Sequence, residues 1–321
     1  MQKKWLAALL VLAMIIMAFA GCSRQNESLE NNKNNESGEN IENVPEETTG
    51  SFPLTVTDEL GREVTIERKP ERIISLLPSL TETLFALGVG EAVVGVTTDC
   101  SFPEEAKEVE KVADWTTIDM EKILALEPDL VLADDSSALL DQLYFLDDAG
   151  IPYVLIDPDS MEEVTGCIME VARVVGALEE GEKITEEIRK GIEEIQEKAA
   201  AVPEDEKPQV IILIDTETFF TVGIGEYLSD LVTAAGGINA AAELGSSYFE
   251  LSEENILDID PDVIICTWYR RDELLARDSW QNMKAVKNGR IYDVTPDLVS
   301  RPGPRIVQGL EEIYKAIAGQ P

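Results

Sequence analysis

Histidine is absent from all 321 residues. That removes the commonest general base, the histidine-based catalytic triads and the imidazole-containing zinc sites. Paired carboxylates are the acid–base chemistry left open, and an enzyme is therefore disfavoured. A resident metal site and a bare transition-metal ligand are disfavoured too, because carriers of such ions combine imidazoles with carboxylates. Any metal would have to arrive already chelated. GVGE at 88–91 and GIGE at 223–226 invite a nucleotide-binding reading, but neither has the third glycine of the dinucleotide fingerprint and no Walker lysine follows. Turn glycines explain both.

The charged residues are unevenly spread. Net charge is −37, with 63 Asp and Glu against 26 Lys and Arg, and a surface of that sign repels phosphate backbones and excludes nucleic acid as a partner. Solubility accounts for it. Against this background eight Lys and Arg fall within 268–305. Most read as a solvated mixed face, but Arg301 and Arg305 bracket a Pro-Gly-Pro turn before the last helix. An anionic ligand could exploit some of these charges.

The elements that must hold such residues are marked by an internal repeat. IDMEKILALEPDLVLAD at 118–134 aligns without gaps on LSEENILDIDPDVIICT at 251–267. Each copy offers an N-cap (Asp119 or Ser252), a short amphipathic helix, Pro-Asp and an apolar strand, 130–133 or 263–266. Glu121 and Glu254 occupy the same place in the two copies, in a first helical turn, where an acid complements the helix dipole by about 0.3–1 kcal/mol. Apolar strands between helices predict parallel sheets covered on both faces, and 72–77 and 209–214 are two more such strands. Ser79 and Glu82 form a capping-box pattern before the helix after the first, and Gly88 and Gly236 are expected to close corresponding helices. A hairpin turning at 59–61 precedes the first lobe.

This gives an α/β chain of two lobes with mostly parallel sheets flanked by helices, 52–160 and 204–321. A helical segment at 161–203, interrupted near Gly176 and Gly181, supplies one long helix to join them. Ligands of open α/β sheets sit at the ends of the strands, here between the lobes.

At the N-terminus Lys3 and Lys4 precede an apolar run ending in Ala20, Gly21 and Cys22, a secretory signal over 1–21. Small residues before a cysteine resemble the lipobox of bacterial lipoproteins, which implies acylation at Cys22 and a mature net charge of −39 once Lys3 and Lys4 leave. Residues 22–51 lack large apolar side chains and read as a disordered tether. As a flexible coil, the 29 residues after Cys22 span roughly 30 Å. Cys100, Cys167 and Cys266 allow one disulfide at most.

The ordered set ERIISLLPSLTETLFALGVGEAVVGVT, FPEEAK, the two Pro-Asp repeats, FFTVGIGEYLSDLVTAAGGIN and RPGPR resembles the substrate-binding proteins for iron chelates and cobalamin that serve ABC importers. The resemblance covers nearly all of 54–318. It implies two lobes bridged by a rigid helix with limited closure, a monomer anchored by lipid on the outer face of the cell membrane, and no cofactor. The ligand it implies is a metal chelate, a corrinoid first, with an iron-siderophore or haem as alternatives. It further implies that Glu121 and Glu254 dock to arginines of the permease. The matching cleft positions are Asp99, Trp115, Asp134, Phe220, Tyr248, Trp268, Tyr269 and Arg301, the aromatics suiting a flat macrocycle. Asp99 and Asp134 stand where cobalamin binders often place further aromatics.

Overall fold

A computed structural model describes residues 51–135 and 137–320. The signal 1–21, Cys22 and all of the tether except Ser51 lie outside the described residues. Strands β1 (Leu54–Thr57) and β2 (Glu63–Ile66) pair antiparallel around the expected turn. Asp58 closes the turn, accepting from the backbone N–H of Leu60 and Arg62 and from the Arg62 guanidinium.

The first lobe continues through β3 (Ile73–Ser75), α1 (Pro78–Ala86), β4 (Val93–Thr97), β5 (Lys111–Ala113), α2 (Met120–Ala125), β6 (Leu130–Ala133), α3 (Ser137–Ala149) and β7 (Tyr153–Leu155). Its five strands form one parallel sheet in the order β5-β4-β3-β6-β7. Alternate side chains face opposite ways, so Ile73, Leu130 and Leu132 enter one core while Ile74, Val131 and Ala133 enter the other. Both faces are covered. That is why the strands are apolar throughout.

The helical segment is α4 (Val164–Val174) and α5 (Leu178–Ala199). Gly176 breaks it with a left-handed φ of +65°. Gly181 does not, contrary to expectation: it lies inside α5, where an added Cβ would stand 2.6 Å from Ala172 Cβ. The glycine lets the two helices touch. With 22 residues α5 is about 33 Å long. Ile184 packs against cores of both lobes, and Ile188 and Ile195 belong to that of the second.

The second lobe runs β8 (Gln209–Leu213), β9 (Phe220–Val222), α6 (Tyr227–Ala234), β10 (Ile238–Asn239), β11 (Tyr248–Glu250), α7 (Glu253–Ile259), β12 (Val263–Cys266), α8 (Arg271–Leu275), α9 (Lys284–Lys287), β13 (Ile291–Asp293), α10 (Pro296–Val299) and α11 (Ile306–Ala318). Its parallel sheet has the order β10-β8-β12-β13, and β9 pairs antiparallel with β11.

The repeat is structural. Asp119 and Ser252 cap α2 and α7, each accepting from a backbone N–H at 3.1 Å. Glu127 and Asp260 then reverse the chain with φ of +46°. The following Asp129 accepts from the backbone N–H of Glu71 and Arg72, and Asp262 from that of Gln209. Each Pro-Asp thus ties the start of one strand, β6 or β12, to the start of its neighbour.

The capping box at Ser79 and Glu82 is not formed. Pro78 already opens α1, the N-cap position is Leu77 without a side-chain bond, and Ser79 lies within the helix. Glu82 is buried and bonded elsewhere. Gly88 and Gly236 follow α1 and α6 in the left-handed region, as expected of helix ends. Cys100, Cys167 and Cys266 are free thiols.

Candidate functional site

The strands of both sheets end toward one cavity of about 750 Å³ between the lobes. The first lobe lines it with Leu77–Ser79 after β3, Asp99 after β4, Trp115 after β5, Asp134 after β6 and Asp157–Asp159 after β7. From the second lobe come Ile214 after β8, Trp268 after β12, Tyr248 on β11, Glu226–Leu228 at the start of α6, and Pro296, Asp297 and Ser300–Pro302 around α10. Carboxyl ends of parallel strands are where the loops, unlike the covered sheet faces, are free to meet a ligand.

Of the eight expected cleft residues, Asp99, Trp115, Asp134, Tyr248, Trp268 and Arg301 line this cavity. Phe220 and Tyr269 are not among its lining residues. Phe220 is half-buried and stacks on Tyr248 at 6.3 Å between centroids, so it supports the ring that reaches the cavity. Tyr269 is exposed beside Trp268. Trp115 is 71% exposed and Trp268 59%, so neither fills a core. Phe219, Ser247 and Tyr269 adopt φ of +53° to +55°, next to Phe220, Tyr248 and Trp268 respectively. Backbone of that kind costs roughly 1–2 kcal/mol per residue, and its concentration beside these aromatics marks where the chain is bent to present them.

Arg301 meets the cavity with its charge already matched. One guanidinium nitrogen donates to Glu82 Oε1 at 3.0 Å, and the other lies 2.9 Å from Asp297 Oδ1 and donates to the Asp99 carbonyl at 3.1 Å. Arg305 grips both oxygens of Glu82 at 2.7 and 2.6 Å. Glu82 is 3% exposed. One buried carboxylate of the first lobe therefore holds two guanidinium groups of the second.

Sequence reasoning missed Asp157, Asp159 and Asp297, which have no motif of their own, and Glu226, whose GIGE segment was read only as a glycine turn. They are legible only as positions after strands or before helices. Burial, then the charges of Asp134, Asp159, Asp135 and Glu59, push the Asp157 pKa up to about 7. Burial first, then Glu226, Asp157 and Asp159, push Tyr248 up to about 12. Ser79 Oγ and the Tyr227 hydroxyl are buried without a hydrogen-bond partner, and both residues line the cavity. Among the described residues no three His, Cys, Asp or Glu side chains are grouped to hold a metal ion.

Glu121 and Glu254 are both exposed, each at the second position of its helix. Their neighbours are engaged: Lys122 pairs with Glu110, while Glu253 accepts from Ser279 and Trp280 and pairs with Arg277. Glu121 and Glu254 make no ion pair among the described residues.

A family model described as periplasmic binding protein matches residues 73–298. The chain belongs to the periplasmic binding protein family. An ABC transporter substrate-binding lipoprotein of Bacillus subtilis, YvrC, is 35% identical over 318 residues, covering 98% of this chain and 96% of that one. Among solved structures, the vitamin B12-binding protein BtuF of Vibrio cholerae superimposes with a TM-score of 0.71 at 26% identity, covering 78% of this chain and 98% of BtuF. The haem-binding protein RhuT of Roseiflexus sp. RS-1 gives 0.70 at 29%, with the same coverage. This periplasmic binding protein is the substrate-binding component of an ABC transporter and not an enzyme. The α/β lobes are those of its structural neighbours.

Proposed function

We propose that the chain is a lipid-anchored extracytoplasmic receptor, acting as a monomer, that takes a metal chelate of the corrinoid kind into the interlobe cavity and hands it to its permease. The observation that carries this is the cavity itself: its size, and the exposed faces of Trp115, Tyr248 and Trp268 that meet there from both lobes. Flat apolar rings give a macrocycle large contact area at low entropic cost. The relatives named for vitamin B12 and for haem support a chelate of this size.

Within that class the residues favour a corrinoid over haem. There is no histidine to ligate haem iron. Haem would need Tyr248, Tyr269 or another non-histidine axial ligand. A corrinoid asks for no such ligand. Glu121 and Glu254, matched in the repeat and without an ion pair among the described residues, are read as the permease contacts, and Cys22 as the acylated residue.

Absorption and mass spectra of the ligand that co-purifies with the chain test the assignment. A corrinoid spectrum is expected; a Soret band or a ferric siderophore mass would replace the ligand and leave the transporter role intact. For the anchor, Cys22→Ala is expected to release the protein from membranes, and unchanged retention would refute acylation there.

A further inference from the structure

The cavity's charge is one-sided. Six of its lining residues are acids, Asp99, Asp134, Asp157, Asp159, Glu226 and Asp297, and one is a base, Arg301. The base is already paired, its two terminal nitrogens held by Glu82, Asp297 and the Asp99 carbonyl. Asp99, Asp157, Asp159 and Glu226 have no lysine or arginine within ion-pair distance among the described residues.

We propose that the cavity selects a flat chelate carrying net positive charge, a corrinoid without an appended phosphate, over anionic chelates of similar size. This rests on the corrinoid reading and narrows it. The aromatic walls act in the same direction as the acids, because the face of an aromatic ring is the negative end of its quadrupole and attracts cations. Trp115 and Trp268 present such faces, widely exposed, from opposite lobes. Asp157, buried and facing the charges of Asp134, Asp159, Asp135 and Glu59, gains from a cation nearby and loses from an anion. A propionate or phosphate would meet these carboxylates, and the one basic lining residue among the described residues, Arg301, already has its charge paired.

Two forms of one macrocycle separate charge from shape: cobinamide with water and hydroxide as axial ligands is positive, whereas dicyanocobinamide is neutral. Haem, with two propionates, is the anionic probe. Quenching of tryptophan fluorescence in the purified full chain measures all three. The positive cobinamide is expected to bind about tenfold or more tighter than the neutral one at low salt, the gap closing as salt screens it. Asp157→Asn combined with Asp159→Asn is expected to cut that gap severalfold. Equal affinity for the two cobinamides overturns charge selection and leaves the corrinoid reading standing. So does an advantage that survives both high salt and the double substitution, which would point to direct coordination of cobalt. Tighter binding of haem than of either corrinoid, or no corrinoid binding, overturns both.

Discussion

Asp157 is the residue on which the cavity's electrostatics leave a measurable trace even without ligand. In the unfolded chain an aspartate titrates near 3.9, whereas in the fold burial and neighbouring acids bring this one to about 7. Between those values the native state holds a proton that the unfolded state has lost. The group's contribution to stability is therefore fully present below the lower pKa and is lost as pH rises through about 7. Glu59, also raised by burial and then by Glu163 and other acids, acts with the same sign. Asp157→Asn removes the ionisation, so its gain over the parent is expected to be near zero at pH 4 and to reach on the order of 2–4 kcal/mol above pH 8. Chemical denaturation of the ligand-free protein across that range measures it, and a pH-independent difference would contradict the assignment. None of this was legible in the sequence, where Asp157 is one acid among 63 Asp and Glu. Ser79 and Glu82 show the opposite failure. Their spacing fits a capping box, but spacing carries no information about partners 219 and 223 residues away, and the arginines that claim Glu82 decide its role.

At the scale of elements the reading was more successful, because helix caps, turns and buried strands are specified by neighbours in sequence. Asp119, Ser252 and the strands at 130–133 and 263–266 fall where the repeat placed them. The repeat showed where Pro-Asp recurs but not why: Asp129 and Asp262 satisfy backbone N–H groups some fifty residues upstream, contacts invisible to periodicity. Gly181 was misread because a glycine that breaks a helix and one that admits a neighbouring helix look alike in one dimension. The same repeat sets up a test of α2 and α7 as docking elements. Each offers an exposed acid in its first turn, Glu121 or Glu254, while the adjacent Lys122 and Glu253 are internally paired. Reversing both, Glu121→Lys with Glu254→Lys, is expected to abolish ligand uptake by cells at normal protein levels. Ligand affinity should stay the same, since neither residue lines the cavity. Folding stability should fall by no more than about 1 kcal/mol per site, the size of a helix-dipole contact. Normal uptake by this variant would reduce both residues to helix-end electrostatics.

For the whole molecule, two connections span the lobes and together limit how the cavity can open. One is α5, about 33 Å of continuous helix by its length, packed against cores of both lobes. The other is Glu82, buried in the first lobe and gripped by Arg301 and Arg305 of the second, with Ser101 bonded to Asp297 beside it. A helix alone resists bending but leaves twisting about its axis open. A second tie near the cavity removes much of that freedom, so ligand binding is expected to change the solution scattering profile little. Glu82→Ala deletes the tie and leaves two guanidinium groups facing each other without their shared carboxylate. Removing one partner of a buried ion pair costs roughly 3–5 kcal/mol, so the midpoint of chemical denaturation should fall clearly. Glu82→Gln keeps the shape and one of the two acceptor oxygens and should fall less. The distinguishing result is in the scattering. If the tie restrains the lobes, the folded Ala variant without ligand should be measurably more expanded than the parent and should contract on binding, whereas the parent should do neither. Identical profiles for parent and variant, with stability lost all the same, would make the Glu82 cluster a packing feature and leave the rigidity of the pair of lobes to α5.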